Sequence, residues 1–494
     1  MGSAFGRQSC KTDDMKVIFL TPPSLDQFKP AERTAGCTRV VYNMVNIYEL
    51  TVAALLEQQG LEVCYKNFVL DEAAPEACFD FLSSDDSDVY FFWTVNLSIP
   101  TDIQVERYIH KNRPGAFCVF LGPGGTYFTK MLLTHPNTIV VRGEPEATVS
   151  ELMARMVEGK SWTDIQGISY LDESGKLANN PPRPLIKNLD ELPFPAIHFI
   201  QKYTFSNPKL KLSPYMAMVT SRNCPFHCIY CVPSSLTFAR EIEYKKEHDG
   251  KKPPIGFRSP ENVVKEIDWL ADQGYKAIGF MDDNFIVTAK RLRVIGEALK
   301  RRGIIWGCQA RVDAITEEVA EMLHEYGCEY VDLGVESFND DILAYIKKGI
   351  TQAQIYNAIG LLKKHRVPVK LNILIGTSPI ETEETIKDTL RKAKKLKVDQ
   401  VMFNIVSPFP ATEFYDLAKK NGWIEGGEYV PTDVQRNSIL NYPNLSSQQM
   451  ERLLFRNNLK FFLSPSFIWR HIRKFSSFSD FTIALKALKI KLFG

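Results

Sequence analysis

Apolar residues along the first part of this chain gather in short continuous runs instead of alternating one by one. "MKVIFLTPP" (15–23), "DVYFFWTVN" (88–96), "AFCVFLGPGG" (116–125) and "NTIVVRGE" (137–144) each hold a run of three to six apolar residues closed by turn formers. Runs of that kind predict strands buried on both faces, as in a parallel sheet. Between them, "NIYELTVAALLEQQG" (46–60) repeats its apolar positions every three or four residues and stops at a glycine, which predicts an amphipathic helix. The alternation predicts a doubly wound α/β domain over 15–178. "NNPPRPLIKNLDELPFPA" (179–196) breaks the pattern with prolines and polar residues, and 179–213 reads as a linker.

A second alternation starts near 214. Its strand candidates are "YMAMVTSR", "KAIGFMDD", "IIWGCQAR", "EYVDLGVES", "VPVKLNILIG" and "DQVMFNIVSP", separated by helical runs. One of these helices opens at Ser259-Pro260, a capping residue followed by proline at the first helical position. Six βα units are too few to close an eight-stranded barrel. The prediction is therefore a partial (βα)6 barrel over 214–430, with its chemistry at the C-terminal strand ends. Residues 431–494 read as a helical, basic, amphipathic region.

Composition narrows the class. A chain of 494 residues exceeds one ordinary domain, and 45% hydrophobic with 24% charged residues suits globular cores. A net charge of +2 lacks the basic excess that nucleic-acid binding requires, so no nucleic-acid partner is expected. "MGSAFGRQSCKTDD" has no apolar core of a signal peptide, and no run is long enough to span a bilayer. The expectation is a cytoplasmic protein, in a compartment where clustered thiols suit metal better than disulfides.

Three of the ten cysteines fall within "NCPFHCIYC": Cys224, Cys228 and Cys231, spaced C-x3-C-x2-C directly after the first strand of the second alternation. Two metal readings remain open on spacing alone. A structural zinc would want a fourth cysteine or histidine nearby. A [4Fe–4S] cluster held by three thiolates would leave its fourth iron open.

The motif, with Tyr230 before its third cysteine and six βα units around it, resembles the radical S-adenosylmethionine (SAM) superfamily. The resemblance implies that the open iron binds the amino and carboxylate groups of SAM. Reductive cleavage then yields a 5′-deoxyadenosyl radical that removes hydrogen from an unactivated carbon. It further implies roles at the later strand ends. Asp282, Asp283 and Asn284 in "GFMDDN" would meet the SAM amino group. Arg311 would pair with its carboxylate, and Glu336 and Ser337 in "GVES" would bond its amino acid part or ribose. Asn372 in "NILIG" and Asn404 before "SPFPATEFY" would line the adenosyl region, although "GTSPIETEET" replaces the Gly-x-Pro-Gly usual there. Tyr230 and Asp282 are the candidates for catalytic groups.

A doubly wound domain before such a barrel resembles the cobalamin-binding branch, which includes the anaerobic magnesium-protoporphyrin cyclase, hopanoid-biosynthesis proteins and many methylases. On that resemblance the first domain is a cobalamin-type Rossmann domain. Thr21, Pro22, Thr94, Asn96 and Glu144 would line its carboxyl edge, and Gly122, Gly124 and Gly125 would let backbone approach a flat corrin. The D-x-H-x-x-G motif that gives cobalt a histidine ligand is absent. The activity implied is methylation, or cyclisation or rearrangement, of a small molecule, with an electron donor such as flavodoxin or ferredoxin. A radical SAM enzyme without cobalamin and a non-catalytic metal-cluster module are the alternatives. From Met450 to Gly494 nine Lys/Arg stand against two Asp/Glu, interleaved with aromatics and leucines. That pattern reads either as a helical cap on the barrel or, over Ser466–Lys491, as a peripheral contact on the inner face of a membrane. In the second case a lipid-like or tetrapyrrole substrate follows.

Overall fold

The computed structural model describes residues 15–26, 28–34, 38–40, 42–205, 207, 209–465 and 468. The described residues of Met1–Gly36, Val45–Thr204 and Ser234–Arg258 form one compact unit; those of Cys37–Met44, Phe205–Pro233 and Ser259–Gly494 form the other.

In the first unit the apolar runs become strands β1 (Lys16–Thr21), β3 (Val89–Trp93), β4 (Phe117–Leu121) and β5 (Thr138–Val141). They are joined by β2 (Glu62–Asn67) and by the pair β6 (Ile168–Leu171) and β7 (Leu177–Asn179). The sheet order is β2-β1-β3-β4-β5-β6-β7, parallel through β5 and antiparallel beyond. Alternate positions of the central strands, Ile18, Leu20, Tyr90, Phe92, Cys118 and Phe120, share one buried cluster. The helix at 46–60 forms over Ile47–Gln58, with Asn46 at its N-cap and Gly60 taking the left-handed turn at φ 81°.

Three features of this unit were not anticipated. β2, "EVCYKN", is a half-exposed edge strand whose charged residues hide the pattern. The proline-rich stretch is packed: Leu189, Ala196, Ile197 and Ile200 are buried, and Ala196 N–H donates to Leu50 O at 3.0 Å. Third, Ser235–Glu247 forms a helix that belongs here although it follows the cysteine motif in the chain. Its residues Ser235–Glu243 are buried without a break, so it lacks the one-sided periodicity that marks a surface helix.

The second unit holds six parallel strands: β8 (Tyr215–Met218), β9 (Ala277–Phe280), β10 (Ile305–Arg311), β11 (Cys328–Glu336), β12 (Val369–Ile375) and β13 (Gln400–Ile405). Their order, β13-β12-β11-β10-β9-β8, is the open (βα)6 arrangement that the pattern predicted. The pairing registers put Ala217, Gly279, Gly307, Gln309, Arg311, Tyr330, Asp332, Gly334, Lys370, Asn372, Met402 and Asn404 on one face. This face lines the lumen. The opposite face, with Ile278, Phe280, Cys308, Val331, Leu333, Leu371, Ile373 and Phe403, is apolar and buried.

Two glycines make room at the lumen floor. A Cβ at Gly307 would lie 2.1 Å from the Tyr330 ring, and one at Gly279 would lie 2.4 Å from the Tyr215 hydroxyl. Helix Ser447–Phe462 closes the described part of the chain. It buries Met450, Leu453, Leu454 and Phe461, the last edge-on to Phe403 of β13 with ring centres 6.0 Å apart. This first part of the C-terminal region therefore caps the sheet. Of the expected surface segment Ser466–Lys491, all but Ile468 lies outside the described residues. No helix among the described residues is long and apolar enough to cross a membrane.

Candidate functional site

The cysteine loop starts where β8 ends, and a buried carboxylate fixes its first turn. Asp282, just past β9, accepts from Thr220 N–H (3.1 and 3.2 Å) and Thr220 Oγ1 (2.7 Å), and from Ser221 Oγ at 2.5 Å. Burial pushes the Asp282 carboxyl above its ordinary range, and these donors oppose the shift. With its oxygens taken by the loop, Asp282 positions backbone; it is not placed as a proton carrier for a substrate. Asn223 then turns the chain at φ 75°. Ile229 N–H donates to Ile346 O at 3.2 Å, and Phe414 N–H to Ile229 O at 3.0 Å, so the loop is held from two sides.

Cys224, Cys228 and Cys231 are half-buried and unbridged. Their neighbours are cationic. Arg311, at the end of β10, stacks its guanidinium 3.4 Å from the centre of the Phe226 ring and forks onto both Asp313 oxygens at 2.9 Å. A further bond to Lys348 O at 2.9 Å fixes its plane. Burial disfavours the Arg311 cation, but Asp313 and the thiols of Cys228 and Cys224 outweigh it and raise its pKa. Lys348 lies 2.8 Å from Glu336 Oε1 and 3.4 Å from Tyr230 OH. Burial again opposes its charge, and Glu336 and Cys228 hold it on. The Tyr230 phenol is pushed well above its ordinary value, first by burial and then by Glu336, Cys228 and Cys231. Its hydroxyl lies on the Lys348 ammonium.

Local backbone serves the Glu336–Lys348 pair. Glu336 sits at φ 63° beside a register shift between Gly334 and Glu336. A Cβ at Gly334 would fall 2.8 Å from Lys348 Nζ and 2.9 Å from Glu336 Oε1, so a side chain there would push the ends of the pair aside. Ser337 faces elsewhere: its hydroxyl meets Thr389 Oγ1 at 3.3 Å and accepts from Asn339 N–H at 3.2 Å. It shapes the turn after β11 and does not meet the site.

The remaining strand ends carry polar atoms without protein partners. Buried oxygens of Asn284, Thr377, Asn404 and Ser407 have no hydrogen-bond partner. Buried polar atoms are normally satisfied, so a group of orphans along the carboxyl edge fits a polar ligand. Asp283 lies beside Asn284, and Asn372 is half-exposed on the lumen face. Among the described residues no three His, Cys, Asp or Glu side chains converge on one ion position. A tetrahedral zinc with bonds near 2.3 Å would need sulfurs about 3.8 Å apart. The three thiols share a neighbourhood, since Cys224 and Cys228 act on Arg311 while Cys228 and Cys231 act on Tyr230. Three thiolates on one loop are the ligand set that a [4Fe–4S] cluster with one open iron uses. Lys348, Phe226, Thr377 and Ser407 were missed: Phe226, Thr377 and Ser407 lie inside stretches read for other residues, and Lys348 lies in no motif.

In the first unit, Thr21, Thr94, Asn96 and Glu144 are buried, and Pro22 follows β1. The three glycines have an internal reason to be glycine. A Cβ at Gly122 would meet Thr94 O at 2.9 Å and the Trp93 indole at 3.1 Å. One at Gly124 would meet Thr94 at 2.9 Å, and one at Gly125 would touch Val140 at 3.4 Å. Their small size serves packing against β3 and β5. Glu144 is likewise committed, accepting from Ile186 N–H at 2.7 Å and pairing with Arg240 at 2.9 Å. Thr94 Oγ1 donates to Asp102 at 2.9 Å. Asp102 is forked by Arg33, at 3.0 and 2.7 Å, which also donates to Trp93 O at 2.6 Å. Sequence reasoning missed Arg33 and Asp102, which meet only on folding. Beside them, Asn46 Nδ2 and Glu49 Oε1 are buried without partners at the start of helix Ile47–Gln58. Burial pushes the Glu49 carboxyl up to about 7, against the pull of Arg33.

Comparison with known proteins places these features. The Radical SAM superfamily profile matches residues 218–418. An uncharacterised methyltransferase of Pyrococcus horikoshii is 30% identical over 93% of this chain and 95% of its own length. The anaerobic magnesium-protoporphyrin IX monomethyl ester cyclase of Rubrivivax gelatinosus is 26% identical over 72% of this chain, which spans 62% of that protein. Among solved structures, a radical S-adenosylmethionine methyltransferase of Kitasatospora setae with cobalamin and a [4Fe–4S] cluster bound shares the fold at a TM-score of 0.62. It is 17% identical, covering 82% of this chain and 75% of that one.

Proposed function

This chain belongs to the radical SAM superfamily, and we propose that it is a cobalamin-dependent member that methylates a small molecule or closes or rearranges its skeleton. The observation that carries the reading is the loop of Cys224, Cys228 and Cys231, three unbridged thiols after the first strand of the open barrel with the Arg311 cation beside them. When bound, a [4Fe–4S] cluster supplies the electron that splits SAM and so furnishes the radical that takes hydrogen from the substrate.

The protein's part is placement. Asp282 fixes the turn into the loop, and Arg311, locked between Phe226, Asp313 and Lys348 O, presents a fixed cation beside two of the thiols. The carboxylate of SAM is the anion such a guanidinium suits. Glu336, charge-paired with Lys348, and the orphan oxygens of Asn284, Thr377, Asn404 and Ser407 offer acceptors for ammonium and hydroxyl donors of the cofactor. In the first unit, the unpartnered Asn46 Nδ2 and Glu49 Oε1 offer a donor and an acceptor to the amide side chains of a corrin. No histidine motif is present to ligate cobalt, so bound cobalamin would carry no protein histidine. A lipid-like or tetrapyrrole substrate is the finer reading. The exposed Phe455, Leu463 and Ile468 at the C-terminal helix and just beyond it support contact with an apolar or lipid surface.

Anaerobic reconstitution tests the proposal. Protein made with cobalamin supplied should hold iron, sulfide and cobalt and cleave SAM under reduction. The C224A/C228A/C231A variant should lose iron, sulfide and SAM cleavage together. Full iron and sulfide in that variant would place the cluster elsewhere. Nitrogen superhyperfine splitting in the Co(II) spectrum would show an axial nitrogen ligand and contradict a cobalt with its base displaced and no protein histidine.

A further inference from the structure

Below the strand-end site, the lumen of the second unit holds a buried cluster that the chemistry above leaves unused. Asp332, in the middle of β11, receives two lysines on one oxygen: Lys209 Nζ at 2.9 Å and Lys370 Nζ, from β12, at 3.0 Å. The three side chains are only 8 to 14% exposed. The other carboxylate oxygen, Oδ1, is buried and has no partner. Lys209 also lies 4.2 Å from the centre of the Tyr330 ring, whose hydroxyl accepts from Asn207 Nδ2 at 3.3 Å. Tyr330 and Gly307 form the floor, so the cluster stands one layer above it.

This arrangement is a poor way to stabilise a core. Two cations against one carboxylate leave a net positive charge in a low-dielectric interior, where an uncompensated charge is costly. A one-to-one pair would serve packing better. Burial drives the Lys370 ammonium down to about 8 even with Asp332 beside it, the mark of a cation that one carboxylate shared with Lys209 does not fully compensate. Solvent-accessible positions flank the cluster on the lumen face. Gln309, level with Asp332 in the register, is exposed in the middle of a strand, and Gly334, Asn372 and Met402 in the next layer are half-exposed. A surplus cation and an unanswered buried acceptor thus lie on the lumen face, one layer beneath the proposed cofactor edge.

We propose that Lys209, Lys370 and Asp332 form a substrate-anchoring site for a carboxylate with a hydrogen-bond donor on the adjacent carbon, as in an α-hydroxy or α-amino acid. The carboxylate answers the surplus lysine charge, and the neighbouring hydroxyl or ammonium donates to Asp332 Oδ1. The inference rests on the radical SAM reading for what lies above the anchor, and it selects among the substrates that reading allows. A carboxylate-bearing molecule fits this floor, whereas a neutral isoprenoid does not.

Glycolate and acetate are the probes, used on full-length protein as ligands for thermal stabilisation and saturation-transfer NMR. Glycolate should bind saturably and more tightly than acetate, which lacks the donor, while methanol should not bind. Removing one lysine leaves a balanced pair, so K370M and K209M should fold, as their melting and iron content will show. Each should weaken glycolate binding about tenfold, the loss of one charge-assisted hydrogen bond. In D332N, glycolate should lose its advantage over acetate. If K370M does not fold, K209M, whose side chain is the more exposed of the two, carries the test alone. Equal binding of glycolate by wild type and the lysine variants, or no binding by wild type, overturns the proposal. Wild type that holds no cluster and does not cleave SAM would instead overturn the radical SAM reading, whatever glycolate does.

Discussion

Single residues in this protein act mostly by holding backbone, and Glu381 shows how far that goes. "GTSPIETEET" stands where a glycine-rich turn is usual, and Glu381 supplies what the glycines would have given. Its carboxylate accepts from the N–H groups of Gly376 and Thr377, the second at 3.1 Å, while Tyr442 OH donates to Gly376 O at 2.7 Å. Burial pushes the Glu381 carboxyl up to about 8, although both N–H groups oppose it. The sign follows from proton counts. Between the ordinary carboxyl range and about 8 the folded state holds a proton that the unfolded chain has lost, so stability falls as pH rises through that window and is flat above it. E381Q keeps an acceptor for the turn and removes the titration. Its melting temperature should gain on wild type between about pH 5 and about pH 8.5, and parallel curves would show that Glu381 titrates normally.

At the scale of elements, the lumen floor depends on fit between neighbouring strands. Gly307 on β10 and Tyr330 on β11 pair directly, and the ring occupies the place of the missing Cβ at 2.1 Å. Tyr330 is itself buried, with Lys209 over its face, so the ring has little room to retreat. G307A should therefore destabilise the protein by about 1–3 kcal/mol through overpacking. In a Y330L background the same substitution should be close to neutral, and a double-mutant cycle in urea measures the difference. Equal costs in both backgrounds would mean that the strand tolerates the methyl by moving.

On the scale of the whole molecule, the chain makes two compact units, each drawing on separate stretches of sequence. Every ligand of the proposed cluster lies in the second unit, within Phe205–Pro233. Binding stabilises only the unit that offers the site. Calorimetry of anaerobically reconstituted protein should therefore show two transitions, with one raised relative to the C224A/C228A/C231A variant and the other unmoved. A single transition shifting as one would mean that the units unfold together.

Much of the architecture follows from the sequence because the responsible interactions are local. Continuous apolar runs fix parallel strands, Ser259-Pro260 begins a helix, and C-x3-C-x2-C puts three thiols on one loop whatever surrounds it. Tertiary structure decided what depends on residues far apart in the chain. It paired Lys348 with Glu336, set Arg33 on Asp102, and joined Lys209 and Lys370 on Asp332, contacts across 12, 69, 123 and 38 positions. It also assigned Ser235–Glu247 to the first unit, and it gave Gly122 and Gly124 their neighbours in Trp93 and Thr94. A pattern of apolar positions states which faces are buried, but not which side chain fills the space opposite a glycine. Charge pairing is still less legible, because a lysine reads the same in sequence whether it meets water or a buried carboxylate.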